Sequence, residues 1–135
     1  MGCPFCDVVN ISKIVLFQTD FAIAIMNLYP VTRGHLLVVP KLHVSSLSEL
    51  GYSSCCDLIT SIQKVTNIVK MHLKPEGVNV FLNEGKIAGQ TLEHLHVHVV
   101  PRYIDDNLRN FERMNSERIL LSENDSARLR EIFGQ

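Results

Sequence analysis

Three histidines at strict two-residue spacing, His94, His96 and His98, separated by Leu95 and Val97, are the side chains of this sequence best placed to do chemistry. Extended backbone sends successive side chains to opposite faces, so the imidazoles should line one face while Leu95, Val97 and Val99 enter a core. Half of the six histidines fall in this row. Seating three imidazoles on one strand face without partners would cost on the order of a few kcal/mol, which argues against a purely structural triplet. His72, alone in a helical pattern, reads as an ordinary solvated or packed residue.

An imidazole serves as nucleophile, acid or metal ligand near neutral pH, so its neighbours decide the reaction. Residues 83–91, Asn-Glu-Gly-Lys-Ile-Ala-Gly-Gln-Thr, lead into the row, and their glycines let backbone amides approach an anion closely. A glycine, an amide and a hydroxyl suit phosphate oxygens better than a divalent cation. Phosphoryl transfer through an attacking imidazole therefore uses every member of the cluster. Residue types leave a second chemistry open, in which His94, His96 and His98 share one zinc ion that activates water.

Cys3-Pro4-Phe5-Cys6 reads as a zinc knuckle, a redox pair or two buried thiols. It does not sit between a strand and a helix, as a thioredoxin-like pair would. Two thiolates need two further ligands for a tetrahedral site, and His43 and His94 are candidates if the fold brings them close. Cys55 fits a helix's apolar stripe, and Cys56 has no assigned role.

The elements that must hold these groups follow from local pattern. Residues 14–18 and 21–27 are apolar runs around Thr19-Asp20 and form a hairpin, with Phe21, Ile23 and Ile25 on one face and Ala22, Ala24 and Met26 on the other. Residues 28–34 form a loop, and 35–40 a strand that Pro40 stops. Residues 45–50 make a helical turn, after which Ser53 caps a helix running to about Leu73. Its stripe is Cys55, Leu58, Ile59, Ile62, Val65, Ile68, Val69 and Leu73. Residues 78–83 form the next strand, with Asn79, Phe81 and Asn83 on one face. Beyond Pro101 a polar, lid-like segment of mixed charge runs through Arg118, and Ser122 or Asp125 caps a last helix bearing Leu129, Ile132 and Phe133. The pattern gives an α+β fold: a mainly antiparallel sheet of about five strands, one long helix and a short C-terminal helix.

At 135 residues and 46% hydrophobic content, residues 1–135 suit a single domain. A net charge of -1 provides no broad basic surface, so nucleic acid is not an expected partner. No run approaches the roughly 18 apolar residues of a membrane span, and a cytoplasmic, reducing location with free thiols is expected.

Gly89-Gln90-Thr91 followed by His-Leu-His-Val-His-Val-Val-Pro-Arg resembles the histidine triad (HIT) family of nucleotide hydrolases and transferases, and further matches reach back to the CPFC start. The resemblance implies a two-step reaction on a nucleoside monophosphate carrying a leaving group, either a phosphoramidate or a dinucleoside polyphosphate. His96 would be the nucleophile that forms a covalent nucleotidyl intermediate. His98 would meet the phosphoryl oxygens or the leaving group, and His94 would hold the array. Asn83, Gln90, Thr91 and the Gly89 amide match positions around the α-phosphate, and Asn27 matches the position that meets the ribose. Phe5, Ile25 and Leu28 are candidates for the base pocket, and His35 matches a recurrent histidine beside the triad. Cys3, Cys6, His43 and His94 resemble the structural zinc site of one subset of the family; the chemistry itself would need no cofactor. A homodimer is also implied. A nucleotide-binding regulatory or scaffold protein with little turnover is the competing class.

Overall fold

The structure is a computed structural model that describes residues 2–108 and 119–135. Five strands, β1 (Val15–Gln18), β2 (Ala22–Met26), β3 (Leu36–Pro40), β4 (Gly77–Leu82) and β5 (Val97–Arg102), form one sheet in the order β1-β2-β3-β5-β4. Every neighbouring pair is antiparallel, which gives the expected α+β architecture. Helix α2 (Tyr52–Leu73) carries the chain from β3 past the sheet to the β4 edge, and β5 then returns to fill the gap.

Register sorts the side chains. Ala24, Val38, Val97 and Leu82 are successive partners across four strands and face α2 and α3 (Glu123–Ile132). One residue along, Ile25, Leu37, His98 and Phe81 are partners across the opposite face. A one-residue slip would exchange these sets, so the apolar load under α2 fixes which face carries the histidines. Full burial of Leu36, Val38, Val65, Val69 and Val99 anchors that register.

Three local expectations need correction. α2 begins at Tyr52 with Gly51 as its cap, two residues before Ser53, because exposed Tyr52 and Ser53 continue the helix without burying anything. Ile59 lies outside the buried stripe and is exposed, whereas Ser61 is buried. Five residues, Val8–Ser12, form an additional short helix, α1, in which the Asp7 side chain accepts from the Val9 and Asn10 amides. At the other end Ser122 caps α3, accepting from Asp125 N at 3.1 Å. Arg102 closes β5 by donating to Asp106 and Asn79 at 2.8 and 2.9 Å and to the Leu108 carbonyl. The rest of the expected lid-like segment, residues 109–118, lies outside the described residues.

Candidate active site and metal cluster

The histidine row straddles the start of β5. His98 lies within the strand, while His94 and His96 precede it on irregular backbone, so the expected three-residue strand face is shorter than the pattern implied. Leu95 and Val97 still enter the interior. Gly34 is what allows His35 to reach the row. Its φ of +87° suits glycine, and a Cβ there would meet Leu73 Cδ1 and lie 3.2 Å from Pro101 Cγ.

Each ring is held by a different backbone or imidazole partner, and these fix where its proton sits. The His96 Nδ1–H donates to the His94 carbonyl at 2.8 Å, which leaves Nε2 as the nitrogen with a free lone pair. The Val31 amide donates to His35 Nδ1 at 3.1 Å, so the His35 hydrogen is on Nε2 and is donated to His98 Nδ1 at 3.0 Å. His98 consequently carries its own hydrogen on Nε2. Burial, with the neighbouring His98 and His96 rings, lowers the His35 pKa to about 3. Burial and His96 lower that of His98 to about 4, so both rings are neutral at pH 7. Two adjacent rings, with centroids 5.1 Å apart, thus offer opposite functions: a lone pair on His96 and a donor on His98. Phe81, the direct cross-strand partner of His98, stacks on its ring at 4.7 Å.

His94 has neither nitrogen available to this pair. Its Nε2–H donates to the Pro40 carbonyl at 2.7 Å, and Nδ1 faces Cys3 Sγ at 3.4 Å and Cys6 Sγ at 3.6 Å. Cys6 Sγ also lies 3.4 Å from His43 Nδ1. All four ligand atoms of Cys3, Cys6, His43 and His94 fall within 4.8 Å of one another. A tetrahedral ion bound by sulfur at about 2.3 Å and by nitrogen at about 2.0–2.1 Å sets sulfur and nitrogen about 3.6 Å apart, so this donor set fits one cation. Burial and the neighbouring Cys3 thiol push the Cys6 thiol up, the unfavourable state that a bound cation relieves. The geometry therefore does not favour His94, His96 and His98 as ligands of a single ion.

The glycine segment folds into a tight turn. Gly85 and Gly89 take φ of +91° and +100°, and the Gly89 amide donates to the Lys86 carbonyl, closing the turn instead of standing open. A Cβ on Gly89 would lie 3.2 Å from the Asn83 amide group. Oriented to satisfy both ends, Asn83 Nδ2 donates to the Leu82 and Ala88 carbonyls at 3.3 Å. Gln90 Oε1 accepts from Gly85 N at 2.8 Å, and its Nε2 donates to the Ser45 carbonyl at 3.2 Å. Thr91 is exposed, and its hydroxyl makes no hydrogen bond to the described residues.

On the far side, Asn27 Oδ1 accepts from Tyr29 N at 2.9 Å, and its Nδ2 lies 3.2 Å from His35 Nε2. Leu28 is exposed. Phe5 is half-buried, edge-on to the His94 and His96 rings at 5.5 and 5.4 Å. Ile25 shares the histidine face but is fully buried among Ile11, Leu37, Val39 and Phe5, so it offers no surface to a base. Sequence reasoning did not single out Phe81, although the alternation that put it on the Asn83 face was the available signal. The carbonyls of Pro40 and His94 and the Val31 amide carried no signal, since every residue has a backbone.

An imidazole with a free lone pair beside an imidazole donor, next to a glycine turn and on the sheet face opposite α2, is an arrangement suited to phosphoryl transfer. The HIT domain family profile matches residues 8–105, and the chain belongs to the HIT family. It is 36% identical over 104 residues to adenosine 5'-monophosphoramidase hnt1 of Schizosaccharomyces pombe, covering 76% of this chain and 75% of that protein. It is 34% identical over 126 residues to bis(5'-adenosyl)-triphosphatase of Dictyostelium discoideum, covering 88% and 85%. Among solved structures, a Zn-bound histidine triad family protein from Mycobacterium smegmatis superposes with a TM-score of 0.81 at 31% identity, over 100% of this chain and 95% of that one.

Proposed function

We propose that the protein is a nucleotidyl hydrolase. His96 Nε2 attacks the α-phosphorus of a nucleoside monophosphate whose leaving group is an amine or a second nucleotide's phosphate. The bond from phosphorus to the leaving atom breaks as a phosphorus–nitrogen bond forms; His98 Nε2–H donates a hydrogen bond to the leaving atom, and the proton that an amine leaving group takes up comes from water. Water then attacks the phosphorus of the nucleotidyl-histidine, the phosphorus–nitrogen bond breaks to return neutral His96, and the monophosphate leaves with the water's oxygen, its proton passing to solvent. Thr91, Asn83, Gln90 and the Gly89 turn surround the α-phosphate, Asn27 lies toward the ribose, and Phe5 and Leu28 flank the base. The single observation that carries this reading is the opposite protonation of neighbouring rings, with His96 Nδ1–H on a carbonyl and His98 Nδ1 accepting from His35. The names of the two relatives, one acting on a phosphoramidate and one on a dinucleoside polyphosphate, support both leaving-group classes.

Cys3, Cys6, His43 and His94 would hold a structural zinc, which would crosslink the N-terminal segment to the row and take no part in the transfer. The chain, residues 1–135, acts as one domain and as a homodimer; Val80 on edge strand β4 and Tyr52, Ile59 and Met71 on α2 are exposed apolar residues that a second copy would cover. A cytoplasmic location and a small nucleotide as the partner, without nucleic acid or membrane, complete the reading; among the described residues no helix is long and apolar enough to cross a membrane.

Rapid quench of the protein with adenosine 5'-monophosphoramidate or diadenosine triphosphate, followed by intact-mass measurement, tests it. One adenylyl group should appear on the wild type and on His98→Gln, and none on His96→Ala. Turnover without any adduct would refute the covalent route, and binding without turnover on either substrate would favour a nucleotide-binding regulatory protein.

A further inference from the structure

Three hydrogen bonds from the site converge on one short stretch, residues 40–45, that contributes no atom to the proposed reaction. The His94 ring donates to the Pro40 carbonyl, the Leu95 amide to the Val44 carbonyl at 2.7 Å, and the Gln90 side chain to the Ser45 carbonyl. The same stretch carries His43, one of the four metal-type donors. Ser45 is in turn fixed from behind, because its amide and hydroxyl both donate to Glu49 Oε1 at 3.1 and 3.0 Å. One end of the stretch is anchored in β3 and the other at Glu49.

We propose that residues 40–45 are a bracket through which occupancy of the Cys3–Cys6–His43–His94 cluster sets the positions of both the His96 ring and the glycine turn. The path to the nucleophile is short. His94 supplies a donor nitrogen to the cluster and the carbonyl that holds His96 Nδ1, so fixing the one residue fixes the orientation of the other. Phe5, between Cys3 and Cys6, lies against both rings and closes the gap from the other side. The path to the phosphate side runs from His43 through Ser45 to Gln90, whose Oε1 holds the Gly85 amide. Gln90 and Ser45 are accordingly positioning residues for the turn, and the stretch is rigid only when His43 and His94 are pulled toward the thiols together. The proposal rests on reading the site as a nucleotidyl-transfer site.

The test uses the full chain loaded with one equivalent of zinc or stripped with EDTA and dialysed, with amide deuterium exchange, AMP binding by calorimetry and phosphoramidate turnover measured on both forms. Stripping should speed exchange in peptides covering residues 84–90 by at least about tenfold and leave β1 and β2 unchanged. AMP affinity should fall about tenfold. The turn holds no metal ligand, so a crosslink that merely steadies the N-terminus would not move it. His43→Cys, which keeps a fourth donor, should retain the protection that His43→Ala loses. In Gln90→Leu the turn should stop responding to zinc while the Leu95 amide still responds. Failure to bind about one equivalent of zinc, unchanged exchange at 84–90, or faster exchange spread equally through β1 and β2 would each overturn the bracket. A zinc-dependent exchange difference without turnover in either form would support the bracket and overturn the hydrolase reading. Equal turnover with no exchange difference would do the reverse.

Discussion

The two ends of the histidine row share a spacing and a residue type, yet they are built for opposite tasks. At the His94 end both ring nitrogens are engaged, one with the Pro40 carbonyl and one with two thiols, on irregular backbone ahead of the sheet. At the His98 end the ring lies in β5, stacked on Phe81, with one nitrogen taken by His35 and the other carrying a hydrogen. His96 sits between and takes its tautomer from the first end and a hydrogen-bond-donating neighbour from the second. Alternation puts imidazoles in a row; the acceptors and donors beside each ring decide which has both nitrogens engaged, which keeps a free lone pair and which presents a hydrogen-bond donor.

Breaking the middle of the row should have the largest effect. His96→Ala removes the attacking atom and should lower turnover by at least about 10³-fold with AMP affinity within a few-fold, because the loss falls on the transition state. Single-turnover kinetics and calorimetry measure the two separately. His98→Gln should cost about 10²-fold in turnover for amine leaving groups, which depend most on the ring's Nε2–H hydrogen bond to the leaving nitrogen. The loss should be smaller for polyphosphate leaving groups, whose oxygens leave as anions, and the ratio of the two substrates' kcat/KM sharpens the contrast between the ends.

Gly34→Ala tests how the fold delivers His35. The new Cβ would face a positive φ and the Leu73 and Pro101 side chains, and should lower stability by about 1–3 kcal/mol in urea unfolding. A milder effect concerns pH. His35 and His98 have native pKa values of about 3 and about 4, whereas an unfolded histidine titrates near 6.5, so between these values the unfolded chain binds more protons. Their share of stability is complete above about pH 6.5 and is lost progressively as the pH falls toward 4. Urea midpoints at pH 7.5, 6 and 5 should decline in that order, and His35→Gln should flatten the decline.

Much of this layout could be read before any coordinates. The hairpin, β3, the end of α2 at Leu73 and the Ser122 cap follow from turn residues and periodicity, whereas Cys3 and Cys6 read equally as a metal, redox or buried pair until the fold brought His43 and His94 to them. What could not be read is of two kinds. One is long-range: β5 inserts between β3 and β4, which brings His98 beside both Leu37 and Phe81, and nothing local in 97–102 specifies that neighbour pair. The other is backbone chemistry. The groups that set the tautomers, Val31 N, Pro40 O and His94 O, belong to no residue type, so a sequence names the imidazoles but not their protons. Ile25 shows a related limit: the alternation put it on the histidine face, and only the packing of Phe5 and Ile11 around it reveals that it is covered.

Nitrogen-15 NMR of the imidazole rings at pH 7 tests the central claim most directly. A proton on Nδ1 of His96 and on Nε2 of His98 is expected, two opposite tautomers in neighbouring rings. The same tautomer in both rings, or a His96 proton on Nε2, would contradict it.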